Sequence, residues 1–203
     1  MTSPRKHLSS VDSVLGAVIE KTRLSKRKPR TNYFQSLVEE IISQQLSGRV
    51  ADVITERFVG LFKNQKLSGS FPKPVQMLKM PDEKMRGAGL SYQKIGYIKN
   101  IAWAVESGKL VFEKLKDYED EEAIEILTMI KGVGRWTAQM FLMFTLGRED
   151  IFAYGDLGLK NAMQQLYGLR KHPSKKTAER ISKKWSPHRT LACRYLWASL
   201  DDS

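Results

Sequence analysis

Residues 121–156 read EEAIEILTMIKGVGRWTAQMFLMFTLGREDIFAYGD, and the fold follows from the way this stretch breaks in its middle. Ile124, Leu127 and Ile130 recur at helical spacing, the run stops at Gly132-Val133-Gly134, and Trp136, Met140, Phe141 and Phe144 start a second apolar stripe. The pattern predicts helix, tight turn, helix. Two glycines separated by one residue permit positive φ and leave no Cβ in the way of a ligand, so N–H groups opening the second helix can face a phosphate. The partial positive charge of a helix N-terminus adds to that attraction. A hairpin that only packs a core needs a glycine at its turn as well, so the pattern by itself serves both readings.

The charge balance bears on the kind of partner. The 203 residues hold 34 Lys plus Arg against 22 Asp plus Glu, a net charge of +12, which points to a polyanionic partner. Nucleic acid is favoured over a membrane, because no apolar run reaches spanning length. The start, MTSPRKHLSS, has no signal-peptide hydrophobic region, so a soluble intracellular protein is expected. The one cysteine, Cys193, excludes an internal disulfide and a four-cysteine iron–sulfur cluster, and three scattered histidines argue against a zinc site.

Upstream of the hairpin, residues 1–10 read as frayed. Val11, Leu15, Val18 and Ile19 predict a first helix that ends before the basic run from Arg23 to Arg30, read as a solvated linker. Thr31 or Asn32 caps a helix with Phe34, Leu37, Val38, Ile41 and Ile42 on one face. Ser43-Gln44-Gln45-Leu46-Ser47-Gly48 joins it to a helix whose inner face would carry Val50, Val53, Ile54, Phe58 and Leu61. An uncharged polar pair beside a leucine is an unusual link between two apolar helices, although it also reads as a plain interhelix turn. A loop follows from Lys63 to Pro74, then two short helices, and Ser91 caps a long helix on whose outer side Lys94 and Lys99 read either as solvated lysines or as part of the electrostatic footprint for phosphates. Downstream, Asp156 opens a helix running to Leu166, where an Asp cap ordinarily adds ~1 kcal/mol. Two more helices, 174–185 and 187–200, complete an all-α chain of about ten helices with no strand.

KGVGRWTAQM, followed twenty residues after Trp136 by Asp156 in FAYGDLGLK, resembles the helix-hairpin-helix (HhH-GPD) DNA glycosylases, and within them the 3-methyladenine DNA glycosylase II or alkylpurine branch. GLSYQK and the C-terminal WSPHRTLACRYLW share the likeness, which runs from Thr31 to Trp197. It implies an all-α, two-lobed helical fold: a segment 1–30 with the first helix and the linker, and a glycosylase core 31–203. The hairpin spans 121–146, and the N-terminal part of the chain packs with the C-terminal helices.

The likeness also implies roles. Gly132, Val133, Gly134, Arg135 and Thr137 would hold a DNA phosphate, and Asp156 would be catalytic. Trp136, Trp197, Met140 and Tyr154 would line the base pocket, although Trp197 reads equally as a core residue. Indole faces attract cations and stack on bases, so tryptophans suit a positively charged alkylated purine. Gln45 or Leu46 would fill the hole left in the minor groove by an extruded base. The carbonyls of Thr128, Ile130 and Val133 would bind a monovalent cation, Na or K, with no cofactor required.

The implied reaction is hydrolysis of the N-glycosidic bond of alkylated purines, of the 3-methyladenine and 7-methylguanine type, in duplex DNA. The protein would be a monofunctional glycosylase of base excision repair, acting as a monomer on damaged duplex DNA, in the nucleus of a eukaryote or the cytoplasm and nucleoid of a prokaryote. Tyr154 in place of a frequent proline, Gly155 in place of a second Asp, and Met140 in place of an aromatic bear on which lesions fit. Other readings stay open: a non-catalytic DNA-binding module in which Asp156 only caps, or a glycosylase for ethenoadenine, uracil or an oxidised base. A bifunctional glycosylase and lyase would need an amine where Trp136 stands, unless Lys131 or Lys160 substitutes.

Overall fold

A computed structural model of the chain describes residues 3–25, 30–62 and 71–201; residues 26–29 of the basic run and 63–70 of the expected loop lie outside the described residues. The described residues form α1 (Pro4–Val11), α2 (Ser13–Lys21), α3 (Tyr33–Ser43), α4 (Gly48–Gly60), α5 (Pro74–Lys79), α6 (Asp82–Gly87), α7 (Tyr92–Glu106), α8 (Asp120–Thr128), α9 (Arg135–Phe144), α10 (Leu157–Leu166), α11 (Lys175–Ser182) and α12 (Arg189–Asp201). Two 3₁₀ turns, Phe112–Lys116 and Lys183–Trp185, are added to these, and no strand occurs among the described residues. The all-α reading holds.

The helix that sequence reading missed is α1, where fraying was expected. Its single buried side chain, Leu8, gives no periodic signal, but Ser3 accepts the Lys6 N–H at the start and Pro4 occupies the first turn, where a missing N–H costs nothing. Asp12 then separates α1 from α2 in an extended conformation and caps α2, accepting the N–H groups of Val14 and Leu15.

The chain divides into two compact units, Arg30–Phe141 and Met1–Pro29 with Leu142–Ser203, so the stretch 31–203 spans both. In the first unit α3 supplies Leu37, Val38, Ile41 and Ile42, and α7 supplies Ile95, Ile98 and Ile101, all buried. Helix α4 departs from expectation. Val50 and Val53 are 45% and 42% exposed, whereas Ala51 and Phe58 are buried. Those two residues, seven apart, mark a stripe narrower than the apolar sequence suggested. Ser47 also precedes α4 without making a side-chain cap bond.

In the second unit, the Asp12 carboxylate explains why the N-terminus belongs with the C-terminal helices. Only 2% exposed, it accepts hydrogen bonds from Tyr167 Oη at 2.6 Å, Trp185 Nε1 at 2.8 Å and Lys184 Nζ at 3.1 Å. Helix α12 buries Ala192, Cys193 and Leu196 and packs on α10 and α2. Burial pushes the Cys193 thiol up to about 12, so it is an inert core group.

Candidate functional site

Helix α8 begins with the Glu119 N–H donating to the Glu122 carboxylate at 3.0 Å, and the turn after it closes when the Val133 N–H donates to the Ile130 carbonyl at 2.9 Å. Gly132 is required there twice over. Its φ is +108°, and a Cβ would lie 2.2 Å from Cγ of Tyr97. Gly134 corrects the expectation that both glycines serve the turn. It lacks a positive φ, and a Cβ added to it would meet nothing within 4 Å. The second glycine therefore leaves open space in front of α9. The first intrahelical bond of α9 runs from Ala138 N–H to the Gly134 carbonyl at 2.9 Å, so the N–H groups of Arg135 and Thr137 have no acceptor within the helix.

Two side chains of the hairpin have partners within the same unit. Arg135 Nη2 donates to both carboxylate oxygens of Glu121, at 2.6 and 2.7 Å. An exposed pair of this kind is worth ~0–1 kcal/mol, so an incoming phosphate can exchange for the carboxylate. Thr137 is 2% exposed, and its hydroxyl accepts from Gln44 Nε2 at 3.2 Å, so its side chain points inward and only its main chain can serve an anion. Val133 is buried too.

The oxygen donors named for a cation are main-chain carbonyls. Thr128 ends α8, where terminal carbonyls lack intrahelical donors, and the Ile130 oxygen, which accepts Val133, keeps a second lone pair. The Lys131 and Gly132 oxygens are engaged by Asn100 Nδ2 at 3.0 Å and Gln44 Nε2 at 3.4 Å. Among the described residues no three His, Cys, Asp or Glu side chains gather as a metal site.

In the same unit, α3 ends at Ser43 and the chain turns through Gln45, whose φ of +59° makes it the one non-glycine residue with positive φ among the described residues. Gln45 and Leu46 are both exposed at this turn. Trp136 is 37% exposed, whereas Met140 is only 5% exposed.

The second unit holds the carboxylate. Asp156 is the N-cap of α10, and its Oδ1 accepts the Leu159 N–H at 2.8 Å, as the sequence foretold. The same oxygen accepts Trp197 Nε1–H at 2.8 Å, which it did not. A Cβ on Gly158 would come within 3.1 Å of both Asp156 Oδ1 and the Trp197 ring, so the glycine leaves room for this tether. Trp197 is further held by Phe144, with ring centroids 5.8 Å apart. Tyr154 donates to the Pro173 carbonyl at 3.4 Å and carries the Lys160 ammonium 4.7 Å above its ring.

A family model described as HhH-GPD superfamily base excision DNA repair protein matches residues 38–188. DNA-3-methyladenine glycosylase 1 of Schizosaccharomyces pombe is 35% identical over 205 residues, covering 97% of this chain and 86% of the relative. Among solved structures, the S. pombe 3-methyladenine DNA glycosylase in complex with abasic DNA superposes with a TM-score of 0.87 at 34% identity, over 98% of this chain and 97% of that one. A DNA-3-methyladenine glycosidase of Bacillus halodurans gives a TM-score of 0.80 at 41% identity, over 97% of this chain and 88% of that one.

Proposed function

Because the chain belongs to the HhH-GPD superfamily of base excision DNA repair proteins, we propose that it is a monofunctional glycosylase that hydrolyses the N-glycosidic bond of alkylated purines in duplex DNA. The observation that carries the reading is the Asp156 carboxylate, fixed by the Leu159 N–H and the Trp197 indole at 2.8 Å each. As the glycosidic bond breaks, the sugar becomes oxocarbenium-like, and a preplaced carboxylate stabilises that charge while orienting the attacking water. Alkylation at a ring nitrogen already makes the base a good leaving group, so no strong general acid is demanded. The hairpin N–H groups hold a backbone phosphate in this reading. That contact positions the duplex without reading its sequence.

The carbonyls of Thr128, Ile130 and Val133 suit a hard monovalent cation, which would add positive charge beside that phosphate. Trp136 stacks on the lesion in the same reading, and the +12 charge supplies the general attraction for DNA.

The monofunctional assignment rests on the absence of an amine nucleophile at the position of Trp136 and on the placement of Lys160 against the Tyr154 ring. With methylated duplex, the purified protein is expected to release 3-methyladenine or 7-methylguanine and leave the strand intact. Borohydride in the reaction should trap nothing; a covalent protein–DNA adduct would make it a lyase, and no base release at all would leave a binding module.

Trp197→Phe keeps an aromatic ring and removes the indole donor. A hydrogen bond to a charged group contributes ~1.5–3 kcal/mol, so excision is expected to fall tenfold or more while affinity for undamaged duplex stays unchanged. Equal rates for the variant and wild type in single-turnover assays would show that the tether is incidental.

A further inference from the structure

Within the unit 30–141, two side chains that sequence reading left without this role converge on the turn after α3. Lys94, read from the sequence as solvated or as part of the electrostatic footprint, sends Nζ to the carbonyls of Ile42 at 2.7 Å and Gln44 at 2.8 Å. These carbonyls lie at the end of α3, where terminal oxygens lack helix partners and carry the negative end of the dipole. Burial pushes the Lys94 amine below the usual lysine range. From the turn itself, the Gln44 side chain donates to the Gly132 carbonyl and the Thr137 hydroxyl, joining the 43–48 turn to the glycine turn of the hairpin. Directly after these ties comes Gln45 at φ +59°, a strained conformation for a side-chain-bearing residue that persists only where neighbours enforce it.

The geometry points to Gln44 and Lys94 as positioning residues that fix the exposed Gln45-Leu46 turn to the phosphate-facing hairpin. Engagement of the DNA backbone and filling of the emptied base stack then act as one rigid element. The inference rests on the glycosylase reading above. Its energetic logic is preorganisation: extruding a paired base breaks its pairing and stacking, and a filler already held in place offsets that cost at the moment of extrusion. A lesion that needs no unpairing gains little from it.

The test compares a methylated purine in a fully paired duplex with the same lesion in a single-base bulge, under single turnover, for wild type, Lys94→Met, Gln44→Met and Lys94→Arg. The two methionine variants are expected to lose about tenfold on the paired lesion and to stay within about twofold of wild type in the bulge, since only the former draws on the filler. Lys94→Arg, which keeps a cationic donor, should retain most of the paired-lesion rate. Gln44→Met removes only bonds of 3.2 and 3.4 Å, so it carries the test if Lys94→Met fails to fold. Equal losses on both substrates, or none on either, overturn the inference. Wild-type protein that excises neither lesion would instead bring down the glycosylase reading beneath it.

Discussion

Asp156→Asn is expected to lower base excision by roughly 100-fold to 1000-fold and to leave the fold intact, because the change removes one preorganised charge and little else. Asparagine caps a helix about as well as aspartate. Its carbonyl oxygen can take the place of Oδ1, which accepts both the Leu159 N–H and the Trp197 indole. Both geometric ties therefore survive, and what disappears is the negative charge that would face an oxocarbenium-like sugar. Were Asp156 only a cap, the variant would keep its melting temperature and its excision rate together. Affinity for lesion DNA should hold or tighten, since the base persists uncut and a charge that repels phosphates is gone. Single-turnover excision beside thermal unfolding decides the matter, and near wild-type turnover would sink the mechanism.

What could be read from the chain alone was local. The hairpin was legible because a 3.6-residue period stops at glycines and restarts, and Asp156 was legible as a cap because a carboxylate before an apolar-periodic run has that use in any helix. The catalytic role proposed for Asp156 came from resemblance, since a cap and a catalyst look alike in sequence. Contacts made across the sequence left no such trace. The Trp197 tether to Asp156 spans 41 residues and the Lys94 ties span 50 and 52, and periodicity says which face a residue takes without saying what it meets. Helix α1 was missed because one buried leucine makes no pattern. The apolar side of α4 was overcounted because Val50 and Val53 stay 45% and 42% exposed, and composition cannot show that. Gly132 and Gly134 looked equivalent in sequence, but the Tyr97 ring against one and open space beside the other separate them.

The same substitution made elsewhere in the same unit should have the opposite consequence. Asp12→Asn is expected to cost about 3 kcal/mol or more of stability, in the range for breaking a buried charged network, with no requirement that the excision machinery be touched. Oδ1 of Asp12 accepts the N–H groups of Val14 and Leu15, and an amide oxygen can replace it. Oδ2 accepts Tyr167 Oη, Trp185 Nε1 and Lys184 Nζ, and an amide nitrogen there would face donors with a donor. Burial opposes ionisation of Asp12, but the bonds from Tyr167, Trp185, the Leu15 N–H and Lys184 outweigh it and hold the carboxyl below its ordinary value. A carboxyl lowered in the folded state contributes stability that is fully present above its unfolded pKa and is lost as pH falls through the folded value. Wild type should therefore lose stability below the usual carboxylate range by a component that Asp12→Asn lacks. Denaturant unfolding of both proteins at neutral and acid pH measures it: the gap between them should be widest near neutrality and narrow in acid. A gap that is absent at neutral pH, or that stays constant as the pH falls, would remove the Asp12 carboxylate as the tie between α2 and the C-terminal segment that carries Tyr167 and Trp185.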